Sequence, residues 1–443
     1  MEYPIFDVPF LGGSLLIAGM AIVHVFISHF SVGAGCLMAL AERRAIRGGD
    51  TNTLSALKKY GFGVLLVPYV LGTVTGVGIW FTIALVNPRA VSILIHQFVW
   101  DWAIEWVLFL VEGTAIYLYV FYWDKMAPKA HNRLGWIFAL CSIGTLVIIN
   151  AILTFMLTPG TWKPFDAGIL NYKAILNPTY VPTTIARVLI SLALAGVGAV
   201  ILVSFDRRIP DETRRKITAL AYKFMVPIIL CIPLGAWTYA QMSDRARTFL
   251  VGGAPPMMLF LGFGIAGLMI LFLAAVVSLA RKDFTPSTPM AIMFCLLAFV
   301  VFGAMEFVRE GARKPYVIEG FMYSTGVTVA SAEDVDPRAN VNRTTREGVL
   351  AAAPWALPGR EAPGALDDDA RGGAVYRAAC LRCHSIDGYN GIRPLVKGRS
   401  SATIRRLLDQ MDEVEPAMPP FPGTEGEKDD LAGYLTSLNP KSK

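Results

Sequence analysis

Eight apolar runs, each long enough to cross a bilayer, leave this chain few choices of fold. They lie near 12–40, 60–86, 93–122, 134–158, 182–205, 218–241, 256–280 and 288–309, and a spanning helix needs about 20 predominantly apolar residues. Within a bilayer the backbone polar groups must be satisfied inside the protein, so runs of this length form helices. The expected fold is all-α: a polytopic membrane bundle of about eight transmembrane helices. Charged residues make up only 17% of the 443, and mean hydropathy is +0.50, which excludes a soluble protein of this size. The opening MEYPIFDVPF is not basic and no A-x-A site follows it, so no cleavable signal peptide is expected.

Charge orients the bundle. The segments AERRAIRGGD, DKMAPKAHNR, DRRIPDETRRK and RKD, with Lys58 and Lys59, hold fifteen Lys and Arg, against about six in the short loops on the other side; basic loops stay cytoplasmic. Both termini are then expected outside. The net charge of +6 reports this topology and makes no case for nucleic acid.

After the last run comes Cys380-Leu381-Arg382-Cys383-His384. C-x-x-C-H is the pattern at which two thiols bond covalently to a haem and the His becomes an axial iron ligand. The run YRAACLRCHSIDG ends a short helix, AMPPFPG offers Met418 as second axial ligand with Met411 as its competitor, and EKDDLAGYLTSL reads as an amphipathic terminal helix. The order resembles a small class I cytochrome c over residues 370–440, with one covalent haem c. Met–His ligation raises a haem potential, which suits accepting electrons from a carrier. Attachment occurs outside the cytoplasm, the side on which charge places the C-terminus. Cys36, Cys141, Cys231 and Cys295 fall within membrane helices and read as small buried residues. The expected division is 1–330 for the membrane haem-binding domain, 331–370 for an extracytoplasmic linker rich in Ala, Pro and charge, and 371–443 for the cytochrome c domain.

Ionisable residues inside a bilayer are costly and mark function. The first run carries His24 and His29, about 140° apart around a helix and about 7.5 Å apart along it, so they cannot both serve one iron. The third carries His96, Asp101, Glu105 and Glu112, the last two near one face. The eighth ends in AMEFVREGARKPY, with Glu306 and Glu310 one turn apart beside Arg309 and Arg313. His131 is expected in a cytoplasmic loop, in solvent.

This arrangement resembles subunit I of the cytochrome bd oxygen reductase family over residues 10–330. AIVHVFISHFSVGAGCLMALAERRA is similar to the family's first helix, which implies His24 as ligand of a high-spin haem. GTVTGVG at 72–78 resembles the Gly/Thr motif of the second helix. AIEWVLFLVEGTAIYLYVFYWDK resembles the third, mapping its two carboxylates to Glu105 and Glu112, though the family spacing is one residue longer. Asn150 falls near a family Asn, and REGARKPY resembles E-x-G-R-Q-P-W, implying Glu310 as ligand of a second high-spin haem with Arg313 as charge partner. The departures matter as much. Where the family has a His for a low-spin haem, NPTYVPTTIARVLI offers Thr183 and Thr184; Met257 and Met258 stand near the family's Met ligand. The quinol-binding loop is reduced to SDRARTFLVGGAPP. His29 and His96 are extra, and either ligation of a haem b or proton transfer is open to each.

The resemblance implies a cytochrome c-dependent terminal reductase. The haem c would pass electrons to about two non-covalent haems, of b or d type, that reduce O₂, with protons taken from the cytoplasm along Glu112 and Glu105. A non-oxidase electron-transfer subunit is the alternative, and a membrane anchor presenting a cytochrome c is a third reading. A second membrane subunit, a c-type electron carrier and residence in a bacterial inner membrane are expected.

Overall fold

The computed structural model describes residues 3–163, 172–206, 208–281, 286–329, 341–360 and 363–439. Its helices are α1 (Gly12–Gly48), α2 (Thr51–Val86), α3 (Pro88–Gln97), α4 (Val99–Phe121), α5 (Pro128–Leu157), α6 (Tyr180–Phe205), α7 (Asp211–Ala240), α8 (Pro255–Ala280) and α9 (Thr288–Ala312). All but α3 are long and apolar enough to span a membrane, so the expected eight crossings are found. The third run is not one helix, however. The chain breaks at Phe98, which is fully buried against Phe155 at 5.1 Å between ring centroids. That break puts His96 on α3 and the carboxylates on α4.

Helix α1 is the hub of the bundle, packing against α2, α5 and α6. The closest approach is at Gly33: a Cβ there would lie 1.8 Å from the Ser191 carbonyl oxygen and 3.0 Å from the Ala195 methyl. The main core forms around this contact, with Leu37, Ile116, Phe138, Val200, Tyr222 and Phe294 drawn from six helices.

At the far end of α1 lies a buried polar cluster. Glu42 takes hydrogen bonds from Tyr119 Oη at 3.0 Å and Asn132 Nδ2 at 3.0 Å, and it pairs with His131 Nδ1 at 2.6 Å. His131 Nε2 donates to the Tyr119 carbonyl at 2.8 Å. The Glu42 and His131 side chains are each 2% exposed. This corrects the expectation of a solvated loop histidine: α5 begins at Pro128, earlier than its apolar run, and its first turn tucks His131 between α1 and α4.

After α9 a short hairpin pairs β1 (Tyr316–Ile318) with β2 (Met322–Tyr323) in antiparallel register. The C-terminal domain follows, with α10 (Asp368–Ala379), α11 (Ser401–Asp409) and α12 (Glu425–Ser437). Asp367 caps α10, and a reciprocal Thr424–Glu427 capping box starts α12. Of the segment expected as linker, 331–340 and 361–362 lie outside the described residues. Residues 349–356 do not behave as a linker: Val349, Leu350, Ala352, Ala353 and Ala356 are buried against Ala374, Val375, Leu431 and Ala432. The Glu427 carboxylate accepts the Val349 and Leu350 amides at 2.8 and 2.9 Å. An apolar stretch can be absorbed into a small core that would otherwise lack area.

The domain rests on the end of the bundle where α1 begins. The Tyr389 amide donates to the Phe10 carbonyl, Ser14 Oγ donates to the Arg382 carbonyl at 3.1 Å, and Ala417 packs on a cluster containing Met257, Val308 and Ala312.

Two outcomes are expected in detergent. Gly33→Ala costs the ~1–3 kcal/mol or more of an overpacked core, because backbone must move, and so lowers the thermal midpoint, whereas Gly19→Ala, with nothing within 4 Å, leaves it unchanged; equal midpoints would refute the contact. His131→Leu leaves Glu42 buried without its partner and costs about 3–5 kcal/mol, most of it recovered in the Glu42→Leu/His131→Leu double variant.

Candidate functional site

Two groups of residues have the donor chemistry to hold a redox cofactor, one in each domain. In the C-terminal domain α10 ends at Cys380, and the next turn folds back on it: the Cys383 and His384 amides each donate to the Cys380 carbonyl at 3.0 Å. Tyr376 Oη donates to the His384 carbonyl at 2.8 Å. His384 Nδ1 donates to the Asn390 carbonyl at 2.9 Å. That bond fixes the tautomer and leaves Nε2 with its lone pair for a metal. Asn390 holds φ +50°, where Asn is tolerated, and its side chain donates to the Cys383 carbonyl at 2.9 Å. Burial holds the His384 imidazole below its usual pKa and pushes the Cys380 thiol up to about 12. A neutral, oriented imidazole and two thiols on one turn fit covalent haem. Met411 packs against the domain core, while Met418 sits half-buried in the loop beside Ala417.

In the membrane domain His24 points from α1 towards α2. Its Nδ1 donates to the Gly72 carbonyl at 3.0 Å and lies 3.1 Å from Thr75 Oγ1, so Nε2 is again the free nitrogen. A Cβ at Gly76 would stand 3.0 Å from His24 Cε1; the GTVTGVG segment is therefore the shelf on which this ring rests. The donor set fits a haem iron.

Glu310, near the end of α9, is bridged by Arg313 through Nε at 3.1 Å and also through Nη2, and Arg313 Nη1 donates to the Val317 carbonyl at 2.9 Å. The pair belongs to a longer line. Arg309 lies 3.7 Å from Glu310 and donates Nε to Glu306 at 2.8 Å; Arg187 of α6 donates Nη2 to Glu306 at 3.0 Å and Nη1 to His29 Nε2 at 3.3 Å. His29 Nδ1 donates to the Val25 carbonyl at 2.8 Å. Both nitrogens of His29 are thus engaged, which places it in a charge network. His96 donates Nδ1 to the Ser92 carbonyl at 2.7 Å and lines a shallow cleft with Tyr3, Ala84 and Pro88.

On α4, Glu112 is buried and accepts from Ser142 Oγ at 2.5 Å. Glu105 and Tyr119 lie seven residues to either side of it, close to the same face. The line Glu105, Glu112, Tyr119 therefore runs down α4 to the Glu42–His131 cluster. Asn150 donates to Thr183 and Thr184 at 3.0 and 2.8 Å, joining two features that sequence had noted separately.

Three residues escaped the sequence reading. Arg187 stood in plain view as a cation inside an apolar run, the usual signal of function. Ser142 and Glu42 gave no signal of their own, since each acquires meaning only from a partner on another helix.

Residues 15–248 match the family model described as cytochrome bd terminal oxidase subunit I, and residues 367–435 match that of cytochrome C oxidase, cbb3-type, subunit III. The bd oxidase structure from Geobacillus thermodenitrificans superposes with a TM-score of 0.60 at 17% identity, over 73% of this chain and 91% of that one; at this identity the likeness is one of fold. No curated protein matches significantly. The first match spans more than half of the chain, and the arrangement around His24 and the C-x-x-C-H turn suits haem in both domains: this membrane protein belongs to the cytochrome bd terminal oxidase subunit I family and carries a cytochrome c domain at its C-terminal end, a haem-dependent oxidoreductase of electron transport.

Proposed function

We propose that this protein is a cytochrome c-dependent terminal reductase that oxidises a c-type carrier and reduces O₂, drawing protons from the cytoplasm. One observation carries the reading. Helix α1 joins both candidate haem sites, because its Ser14 holds the Arg382 carbonyl within the C-x-x-C-H run while His24, ten residues further along, offers a free Nε2.

Cys380 and Cys383 would bind haem c covalently, with His384 and Met418 as axial ligands. His24 and Glu310 would ligate two non-covalent haems of b or d type. Bound haem supplies one-electron redox chemistry and, at an iron with an open position, a site for O₂. The polypeptide does the rest. Arg313 orients Glu310 through its fork. Glu112, fixed by Ser142, passes a proton along α4 to Glu105, and the Glu42–His131–Tyr119 cluster stands at the entry end. The basic loops lie at that end, so it faces the cytoplasm, and the cytochrome c domain lies on the periplasmic side of a bacterial inner membrane. A soluble or membrane-bound c-type carrier would dock on that domain, and a second membrane subunit would complete the complex.

A second reading, a non-oxidase electron-transfer subunit, is favoured by one feature. Where the family resemblance calls for a low-spin haem ligand, α6 presents Thr183, Thr184 and the ion-paired Arg187.

Haem analysis with reduced-minus-oxidised and CO-difference spectra separates the two. Haem c together with a CO-binding haem b or d, and O₂ uptake with reduced cytochrome c, supports the reductase; haem that is wholly CO-silent selects the second reading. Glu112→Gln is expected to lower turnover by about 100-fold or more, the usual worth of a positioned proton-transfer group, with haem content intact. Undiminished turnover would remove Glu112 from the path.

A further inference from the structure

Arg382 lies between the two haem-attaching cysteines, yet its side chain belongs to the contact between domains. The residue is 3% exposed, and its Nε and Nη1 have no hydrogen-bond partner. Its guanidinium lies against the loop that follows β2: a Cβ at Gly326 would stand 3.3 Å from Nη1 and 3.5 Å from Cζ and Nη2. The same loop is tied to the membrane bundle through Asn87 Nδ2, which donates to the Ser324 carbonyl at 3.3 Å. The Asn87 Oδ1 atom is likewise buried without a partner. The Arg382 main chain is fixed too, by Ser14 Oγ on its carbonyl.

A buried cation is found paired, because an isolated charge away from water is strongly disfavoured. The guanidinium fork is shaped for a carboxylate, which it takes through two parallel N–H donors. None of the charged side chains among the described residues bonds Nε or Nη1 of Arg382. Among the described residues no carboxylate fills this place, which leaves the fork open to an anion carried by a ligand. Haem brings carboxylates of this kind as its propionates, and Arg382 sits at the contact between the two domains that hold haem.

We propose that Arg382 binds a haem propionate at this contact, through Nε and Nη1, and so fixes the cytochrome c domain electrostatically to the membrane bundle. The inference rests on the reading that both domains carry haem. The propionate belongs either to haem c or to the membrane haem at His24, and the test separates them. Ser14, which holds Arg382, lies ten residues before His24 on α1, about 15 Å along the helix axis.

The test uses the full-length protein with Arg382→Gln and Arg382→Lys. Haem content is read by pyridine haemochrome, and potentiometric titration follows the haem c and membrane-haem bands separately. A cation beside a propionate disfavours the ferric state, so removing it lowers the midpoint of the haem concerned. For Arg382→Gln we expect about a tenfold shift in the oxidised-to-reduced ratio at fixed potential, about 59 mV for a one-electron couple, with Arg382→Lys between this and the unaltered protein. A shift confined to the haem c band assigns the propionate to haem c; one in the membrane-haem band, or loss of that haem alone, assigns it to the membrane haem. Unchanged midpoints for both haems at full occupancy overturn the proposal. Should Arg382→Gln fail to accumulate, Arg382→Met, which also removes the charge at similar volume, takes its place, and an unshifted pair of midpoints at full haem occupancy again overturns the proposal. The unaltered protein tests the underlying reading separately. Absence of membrane haem there would sink the reductase assignment, while the haem c titration would still report on Arg382.

Discussion

The near-contact of α1 with α6 at Gly33 governs the arrangement of the chemically active residues. Two helices packed through ordinary side chains stand 8–10 Å apart. Here the Ser191 carbonyl occupies the space where a Cβ at Gly33 would sit, so the helices lie closer. The consequence lies one turn away from Gly33, where His29 on α1 meets Arg187 on α6 at 3.3 Å. The same helix, on another face, meets α2 through His24 and the Gly72 carbonyl. Small residues allow close packing in membrane helices generally, where lipid supplies no hydrophobic drive for association. In this bundle they also decide which polar groups can reach one another.

Once helices stand that close, burial dictates pairing. In a medium without water, an unpaired charge is disfavoured far more than a paired one. The line from His29 through Arg187, Glu306, Arg309 and Glu310 to Arg313 shows the result, each member hydrogen-bonded to the next except Arg309 and Glu310, which are ion-paired at 3.7 Å. At the far end Glu42 gathers His131, Tyr119 and Asn132. These two clusters lie near opposite ends of the bundle, and the α4 carboxylates lie on the path between its ends. A bundle arranged in this way holds paired charge near both faces, and between them Glu112 is held by Ser142. Among the described residues Arg382 departs from this pattern, buried with two unpartnered nitrogens where Ser14 of α1 meets the C-x-x-C-H turn.

The C-terminal domain solves a different problem. It is small, and a core drawn from α10, α11 and α12 alone would be thin. The chain recruits Val349, Leu350 and Ala356 from the preceding segment and fixes them with the Glu427 carboxylate and with Arg377, which donates to the Ala356 carbonyl at 2.7 and 3.0 Å. Docking against Phe10 and Ser14 then sets its C-x-x-C-H turn against the membrane domain.

The sequence by itself determined the number of crossings, because the length and polarity of a run are local properties that the bilayer reads directly. It also marked the C-x-x-C-H turn, whose five residues carry their own chemistry, and it singled out His24, Glu105, Glu112 and Glu310 as polar groups out of place in apolar helices. What it could not determine was partnership. Nothing in the residues around His131 announced its burial, since the burial arises where α5 starts relative to α1 and α4; nothing around Phe98 announced that its ring would lock against Phe155 and divide the third run. Nothing around His29 announced that α6 would bring Arg187 to it, and 349–356 read as linker until a core was there to receive it. Those outcomes belong to the tertiary structure, because a hydrogen bond between helices depends on the distance and rotation of two elements, and neither element encodes the other.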